Sequence, residues 1–282
     1  MSDILNGSEG QSHMWVDVLS NSGFQVALGY TMRRQHPLLV RVLTKLLVNE
    51  KSKRSREQYI AMARAMATKR MNDKDENKVD LFAHLLGEKG HNITVDFLAA
   101  QGSTLVAAGS ETAATFLSAT TYYLLSNPEK LDIMKTEVRQ AYCSDGQIDG
   151  ENVKRLVYMN AVIEEGLRIF PPAPFGLPRV CPGAEIDGHW VPKGVSSMLI
   201  PLARIFLADE SEQTVISTAA HATAKDPSYF FLPDGFHPER WLSADHPLYD
   251  ARFAGDVKEA SKPFSLGPRW CIGSHLAYQE IR

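Results

Sequence analysis

Residues 264–273 (Phe-Ser-Leu-Gly-Pro-Arg-Trp-Cys-Ile-Gly), which we call the cysteine loop, combine a thiol, a cation and two glycines within a short segment. Gly267 and Gly273 allow a tight turn and a close approach of the backbone to a flat ligand. We expect a helix to begin at Cys271, because free amides and the helix dipole there favour a thiolate. Arg269 can pair with a carboxylate of that ligand. An isolated cysteine is more often a buried free thiol, but this context suits an axial haem ligand.

Two further segments place polar side chains inside predicted helices. Glu165 and Arg168 are three residues apart and therefore share one helix face. By themselves they could be an exposed ion pair that contributes about 0.3–0.5 kcal/mol. Gly109 interrupts another helix, where glycine costs about 0.5–1 kcal/mol relative to alanine, which suggests that something bulky lies against it. Glu111 and Thr112 nearby could simply be polar residues on a solvated helix face.

Together these segments resemble motifs of the cytochrome P-450 family. The cysteine loop has the pattern Phe-x-x-Gly-x-Arg-x-Cys-x-Gly, which is similar to the haem-binding loop of that family. Residues 165–168 (Glu-Gly-Leu-Arg), followed shortly by two prolines, resemble the Glu-x-x-Arg motif of the K helix. Residues 238–241 (Pro-Glu-Arg-Trp) resemble the Pro-Glu-Arg-Phe region, with Trp replacing Phe. Residues 108–112 (Ala-Gly-Ser-Glu-Thr) resemble the oxygen-activation segment of the central I helix.

The resemblance implies roles for individual residues. It makes Cys271 the axial thiolate ligand of a heme b iron, and it makes Thr112 and Glu111 the catalytic pair that delivers protons to dioxygen. Ala113 departs from the pattern, because many family members have Thr or Ser at that position. The other residues expected to bind the cofactor are Phe264, Gly267, Arg269, Gly273, Gly109 and Arg179, the last at a position that often binds a haem propionate. A partly buried, structural charge network that holds the segment before the cysteine is expected from Glu165, Arg168 and Arg240.

As a function, the resemblance implies a haem–thiolate monooxygenase that inserts one oxygen atom of dioxygen into a small apolar organic substrate. The Ala-Gly-Ser-Glu-Thr and Gly-Leu-Pro-Arg segments resemble fungal microsomal members that tailor secondary metabolites. We expect electrons from a separate NADPH-cytochrome reductase, because the sequence has no flavin or nicotinamide fingerprint. The family implies the cytosolic face of the endoplasmic reticulum membrane, although the sequence itself has no signal peptide and no apolar run long enough for an anchor.

Two alternatives stay open at this point. The chain could be a non-catalytic, truncated remnant that cannot hold haem. It could also bind haem yet rearrange or dehydrate its substrate without external electrons, as some relatives do. Haem uptake separates the first alternative from the others, and product formation without a reductase would favour the second.

The elements that must position these residues follow from apolar periodicity, which predicts a mainly α protein with a small β region, an incomplete cytochrome P-450 fold. A long helix is expected from the N-cap Thr94 to Ser126, where Asn127-Pro128 stops it. Shorter helices are expected over residues 13–29, 37–48, 54–70, 80–86, 128–142, 157–170 and from 271 onward. Short hairpin strands are expected within residues 176–191, and a further strand over 215–220.

Composition excludes several classes of protein. The 282 residues contain 30 Lys plus Arg and 33 Asp plus Glu, and this near-neutral balance argues against a nucleic-acid partner. Hydrophobic residues make up 44%, which excludes broad disorder. Cys143, Cys181 and Cys271 are widely spaced, so neither a disulfide framework nor a structural zinc site is expected.

For domain organisation, the resemblance predicts one partial cytochrome P-450 domain over residues 1–282. It extends from the F and G helices to the start of the L helix, with both ends of the family domain truncated. Residues 195–213 are predicted to be an insertion or a translated, unspliced intron, because joining Gly194 to Thr214 restores the family's pattern. The alternative is a genuine surface loop, which costs little closure entropy.

Overall fold

The computed structural model describes residues 50–73, 82–83, 93–174, 179–186, 188–193, 196–197 and 220–282. These residues form a mainly helical structure with two small antiparallel sheets, as the sequence predicts. The helices are α1 (Glu50–Met71), α2 (Val95–Ser126), α3 (Pro128–Ala141), α4 (Val157–Ile169), α5 (Ala220–Ala224) and α6 (Ser274–Ile281). The strands are β1 (Arg179–Val180), β2 (Ala184–Ile186), β3 (His189–Val191) and β4 (Ser196–Ser197).

Several predicted elements lie outside the described residues. They include the helices over 13–29 and 37–48, most of the helix over 80–86, and residues 215–219 of the predicted last strand. Ala220, the remaining residue of that strand, instead begins α5. Of the predicted insertion over 195–213, the structure describes Ser196–Ser197 alone, which pairs with β1.

The described residues fall into two compact units, and the boundary lies within α2 between Glu111 and Thr112. In the unit before this boundary, α1 packs on the first turns of α2, where Ala67, Leu98 and Ala99 are buried together. Asp96 pairs with Arg64 of α1, with a carboxylate–guanidinium distance of 2.7 Å. None of the described helices is long and apolar enough to cross a bilayer.

Helix α2 begins and ends where its sequence predicts. Thr94 caps the first turn, since its Oγ1 accepts a hydrogen bond from the Phe97 amide at 3.2 Å. The helix stops at Asn127, whose φ of −130° and ψ of 74° are not helical. Pro128 follows as the first residue of α3, a position where its missing amide hydrogen is not needed. The predicted boundaries of the long helix are therefore confirmed.

Helix α4 forms the centre of the unit that follows the boundary. Ten of its thirteen residues are buried, so it packs on more than one side. Glu137 of α3 caps its N-terminus, because its two carboxylate oxygens accept hydrogen bonds from the Tyr158 and Met159 amides at 2.8 Å each. One buried cluster around α4 contains Leu124, Tyr158, Ala161, Val162, Ile169, Phe236 and Leu242. The other contains Phe116, Val153, Leu156, Met159, Ile163 and Leu167.

The predicted hairpin is formed by β2 and β3. Glu185 pairs with Trp190, and Ile186 pairs with His189. Two residues, Asp-Gly, connect the strands, and Gly188 has a φ of +73° that a side chain rarely adopts. The hairpin within residues 176–191 is therefore confirmed, although it occupies residues 184–191 only.

Gly166 of α4 allows close packing against α2. A Cβ atom added there would lie 2.5 Å from Thr120 Oγ1 and 3.0 Å from the Phe116 ring. We expect Gly166→Ala to lower the free energy of unfolding by up to about 2 kcal/mol, since overpacking costs about 1–3 kcal/mol and the gain in helix propensity offsets about 1 kcal/mol of it. Urea unfolding of the haem-free chain, followed by circular dichroism, measures this loss.

The matched control is Gly109→Ala in α2. No atom of the described residues lies within 4 Å of a Cβ built at Gly109, so alanine there is expected to stabilise the haem-free chain by about 0.5–1 kcal/mol through helix propensity. Equal effects of the two substitutions would contradict the packing explanation.

Candidate functional site

The cysteine loop is a closed turn that presents the Cys271 side chain to solvent. The Cys271 amide donates a hydrogen bond to the Phe264 carbonyl at 2.9 Å, which joins the two arms of the loop. Between these residues, Ser265 and Gly267 have φ values of +63° and +73° and turn the chain. Ser265 is therefore a non-glycine residue in the left-handed region, a strained conformation that often occurs at functional sites. The Cys271 thiol is free and exposed.

The helix after the loop begins later than expected. The sequence predicts a helix from Cys271, but α6 begins at Ser274 and Gly273 is its N-cap. The reason is that the Cys271 amide bonds to Phe264, while its carbonyl accepts a hydrogen bond from the Ser274 amide in a preceding turn. The sequence analysis expected the amide of Cys271 to be one of the free amides at the helix N-terminus. In the structure it is bonded within the loop instead.

Several apolar residues close to Cys271 in the sequence are exposed. Ile272 is 89% exposed, and Leu266, Trp270 and Leu276 are also on the surface. Exposed apolar side chains grouped in this way are typical of a surface that binds an apolar partner or ligand. A flat apolar macrocycle lying on the loop would cover these side chains while the thiolate binds its metal, so the residues present fit a haem.

The other residues predicted to bind the cofactor lie within the cysteine loop, except Gly109 and Arg179. Arg269 is exposed, and within the described part of the chain no acidic side chain pairs with its guanidinium. In the part of the chain that the structure describes, no atom lies within 4 Å of a Cβ built at Gly267, and Gly273 lies beside the Cys271 Sγ. The Phe264 ring packs against Tyr278 of α6, with ring centroids 5.1 Å apart. Arg179 lies in β1, but its side chain is outside the described residues.

Glu165, Arg168 and Arg240, which we call the charge cluster, lie together in the interior. All three side chains are 0% exposed, so the interpretation of residues 165 and 168 as a surface pair is wrong. Arg168 donates two hydrogen bonds of 2.8 Å to the Glu165 carboxylate. Arg240 Nε lies 3.1–3.2 Å from the same carboxylate. The structure thus brings together the three residues that the sequence assigns to one network.

The charge cluster connects α4 to the irregular segment that precedes the cysteine loop. Arg168 donates to the carbonyl oxygens of Ala224, Pro233 and Gly235 at 2.6–3.0 Å. The guanidinium groups of Arg168 and Arg240 lie 5.2 Å and 5.7 Å from the centre of the Phe230 ring. The hydrogen bonds of Arg168 to these carbonyl oxygens span 56 to 67 residues of sequence, and together with the ring contacts they fix the path of residues 224–240.

The ionisation of the Glu165 carboxyl depends on its burial and on the charged and polar groups around it. Burial alone raises the pKa of its carboxyl, but hydrogen bonds and charges from Arg168, the charge of Arg240 and the His237 amide together lower that pKa below its ordinary value. Glu165 therefore remains ionised although it is buried. Its stabilising contribution is present above the pKa of the unfolded chain and is lost as the pH falls through the lower folded pKa.

Asp256 is a further buried charged residue that contacts the charge cluster, and the sequence analysis did not identify it. Its carboxylate forms an ion pair with Arg240, and its side chain is 1% exposed. No local motif marks it, since it lies in a loop segment without helical or strand periodicity. Phe253 also contacts the charge cluster, because its ring centre lies 4.5 Å from the Arg240 guanidinium.

The Trp that replaces Phe in the Pro-Glu-Arg-Phe region has a specific contact. Trp241 Nε1 donates a hydrogen bond of 2.9 Å to Glu165, which phenylalanine cannot form. We expect Trp241→Phe to lower the free energy of unfolding by about 1.5–3 kcal/mol, because a hydrogen bond to a buried charged group is lost. Thermal and urea unfolding measure the loss. Trp270→Phe in the exposed loop is the control, and an equal effect of both substitutions would contradict this role.

The predicted proton-delivery residues lie near the middle of α2. Gly109, Glu111 and Thr112 are all exposed in the structure. Ser110, between them, is held by its own helix, because its hydroxyl donates to the Val106 carbonyl at 2.7 Å. The sequence predicts that something bulky lies against Gly109. None of the described residues fills this position, so there is space for a ligand beside the glycine.

Comparisons with known proteins agree with these features. A model of the family described as Cytochrome P-450 matches residues 27–205 and 211–282. The cytochrome P-450 monooxygenase btcC of Colletotrichum orbiculare is 51% identical over 274 residues, which cover 97% of this chain and 49% of that protein. The cytochrome P-450 monooxygenase BOA3 of Botryotinia fuckeliana is 41% identical over 273 residues, which cover 96% of this chain and 50% of that protein.

A third relative is the trichothecene C-15 hydroxylase of Fusarium sporotrichioides, which is 38% identical over 224 residues, 77% of this chain and 40% of that protein. The chain spans about half the length of the curated relatives it matches. The matching family model and the high identities over most of its length show that the chain belongs to the cytochrome P-450 family.

Proposed function

We propose that the chain provides the thiolate side and part of the oxygen side of a haem monooxygenase that oxidises a small apolar organic substrate in fungal secondary metabolism. The single observation that carries this proposal is the free, exposed thiol of Cys271 between the exposed apolar residues Trp270 and Ile272. The names of the fungal relatives support the activity class, and one of them is named trichothecene C-15 hydroxylase.

In this proposal the loop residues hold a heme b. Cys271 would bind the haem iron through its thiolate, and the backbone at Gly267 and Gly273 would allow the macrocycle to approach closely. Arg269 binds a propionate, because its exposed guanidinium can form a bidentate pair with a carboxylate. We assign Arg179 to a propionate as well, and Phe264 to support of the loop beneath the cofactor. The bound haem supplies the activation of dioxygen and the transfer of one oxygen atom to a C–H bond.

We assign proton supply to residues of α2. Gly109 leaves space for a ligand, since no atom of the described residues lies within 4 Å of a Cβ built there. The Thr112 hydroxyl would hold the proton that the reaction consumes, and the Glu111 carboxyl would return a proton to Thr112 from solvent. Electrons come from an NADPH-cytochrome reductase at the cytosolic face of the endoplasmic reticulum membrane. Product formation with haem but without a reductase would instead support rearrangement or dehydration.

Haem reconstitution tests the proposal. The chain is expressed with hemin, reduced with dithionite and exposed to carbon monoxide, and the Soret band is recorded. A strongly red-shifted Soret band is the expected result, because a thiolate ligand donates electron density to the iron. If a well-folded chain takes up no haem, the proposal is overturned and the chain is a remnant that cannot hold the cofactor.

Replacing Thr112 tests the assigned proton path. Thr112→Ala is expected to reduce product formation about a hundredfold, because a positioned proton donor contributes at least that factor and alanine has no hydroxyl. The measurement compares product, NADPH oxidation and hydrogen peroxide release in the presence of a reductase. Peroxide should rise as product falls, while the carbon monoxide spectrum stays unchanged. Thr112→Ser is the matched control, and unchanged product in Thr112→Ala would contradict the role.

The predicted insertion remains part of this proposal. The matched residues of the family model leave out 206–210, a stretch within 195–213. We propose that residues 195–213 are an insertion relative to the family or an untrimmed intron of the transcript. Sequencing the mature messenger RNA tests this, since a dominant transcript that contains the whole stretch would exclude the intron.

A further inference from the structure

We propose that Asp256 is a positioning residue for the cysteine loop. Its carboxylate completes the charge balance of the buried cluster and fixes the upstream end of the segment that leads to Cys271. The effect of Asp256 on the position of the thiolate rests on the proposed haem site. Its effect on the charge balance of the buried cluster concerns the haem-free protein alone.

The first observation is a count of buried charges. The charge cluster contains one carboxylate and two guanidinium groups, all of them 0% exposed, so by itself it has an excess positive charge. Asp256 is 1% exposed and pairs with Nη1 of Arg240, whereas Glu165 accepts the hydrogen bond from Nε of Arg240. An uncompensated buried charge is strongly unfavourable, whereas a paired and hydrogen-bonded one is tolerated. With Asp256 the four side chains are neutral as a group.

The second observation is that both oxygens of Asp256 have partners. One oxygen pairs with Arg240 Nη1, and the other accepts a hydrogen bond from the Phe231 amide at 2.7 Å. The next residue, Val257, donates its amide to the Tyr229 carbonyl at 2.8 Å. Side-chain and backbone contacts therefore fix residues 256 and 257 against the segment around residues 229–231.

The third observation connects this point to the thiol. Eight residues after Asp256, Phe264 packs on Tyr278 and accepts the hydrogen bond of the Cys271 amide. Residues 257–263 thus run between one end fixed by Asp256 and another end fixed by Phe264. Loss of the Asp256 ion pair weakens the first end, which keeps the backbone hydrogen bond from Val257 to Tyr229, so the cysteine loop samples positions in which the thiolate does not meet the iron.

A double-mutant cycle in the haem-free chain tests the electrostatic part. Asp256→Asn and Arg240→Met each leave one buried charge unpaired, but the double variant restores a neutral cluster. Both single variants should lower the urea midpoint clearly, and the double variant should lose much less than the sum of the two. Asp234→Asn, whose side chain is 86% exposed, is the control and should change little. Additive losses would overturn the neutralising role.

The haem-loaded protein tests the positioning part. Asp256→Asn should shift the ratio of thiolate-type to non-thiolate Soret bands in the carbon monoxide complex by about tenfold or more toward the non-thiolate form. Asp256→Glu, which keeps the charge, should retain most of the thiolate-type band. This ratio is recorded well below the unfolding midpoint of each variant, so simple loss of stability does not move it.

The outcomes distinguish this inference from the proposed function. An unchanged ratio in Asp256→Asn, with normal haem uptake, overturns the positioning role and leaves the proposed function intact. Absence of haem uptake by the unaltered chain overturns the proposed function, and the haem-free cycle then still decides whether Asp256 neutralises the cluster.

Discussion

Cys271→Ala is expected to abolish the red-shifted, thiolate-type Soret band of the reduced carbon monoxide complex and all product formation that depends on it. The substitution removes the only side-chain group of the cysteine loop that can supply a thiolate. It should leave the fold intact, because the hydrogen bonds of Cys271 to Phe264 and Ser274 involve backbone atoms alone. The loss therefore reports ligation and not unfolding.

Two further variants make this experiment specific. Cys143→Ala removes another exposed thiol, and its spectrum should equal that of the unaltered chain. Cys271→His can still bind iron, but through nitrogen, so haem should remain while the Soret band moves to a shorter wavelength. Urea unfolding of Cys271→Ala should match that of the unaltered haem-free chain. Retention of the thiolate-type band in Cys271→Ala would show that another sulfur binds the iron and would contradict the assignment.

Arg240→Ala is expected to lower the free energy of unfolding by about 3–5 kcal/mol, the cost of breaking a buried ion pair and leaving its partners uncompensated. Two carboxylates lose a partner, because Arg240 lies between Glu165 and Asp256. The carbonyl oxygens of Phe231 and Leu232 also lose a hydrogen-bond donor. Urea unfolding of the haem-free chain, monitored by circular dichroism and by tryptophan fluorescence, measures the change.

The control for Arg240→Ala is Arg252→Ala. Arg252 also pairs with an aspartate and also lies near Phe253, with its guanidinium 5.7 Å from the ring centre. Its side chain is 64% exposed, so water and salt screen the pair and the effect should be small. Arg240→Lys should recover only part of the stability, because an ammonium group cannot reach both carboxylates and the carbonyl oxygens in one geometry. Similar losses for Arg240→Ala and Arg252→Ala would contradict the importance of burial.

Features set by local sequence could be predicted well. Helix α2 begins after Thr94 because one side-chain oxygen accepts a nearby amide hydrogen, and it ends at Asn127 because the following proline disfavours a helical residue before it. The hairpin turn likewise follows from an Asp-Gly pair between two short strands. Each of these features depends on atoms within a few residues of each other.

The start of α6 shows where such local reasoning fails. The residues from Cys271 onward have a helical pattern, and the helix was expected to begin at the thiol. The hydrogen bond from the Cys271 amide to Phe264, seven residues earlier, holds the cysteine in the loop and delays the helix to Ser274. The Cys271 amide can bond either within the loop or in the first helical turn, and the closed loop favours the first. Helix propensities of neighbouring residues do not contain this information.

The sequence by itself determined the family motifs, the candidate thiolate and the helices that present the candidate residues, because residue types at fixed short spacings suffice for these. The tertiary structure decided that the charge cluster is fully buried, that Trp241 bonds to Glu165, and that Asp256 balances the charge of Arg240. Glu165 and Arg240 are 75 residues apart, and their partners are chosen by the packing of α4 against distant loops. Burial then sets the energies, since an ion pair that matters little in water becomes essential where no solvent can replace a lost partner.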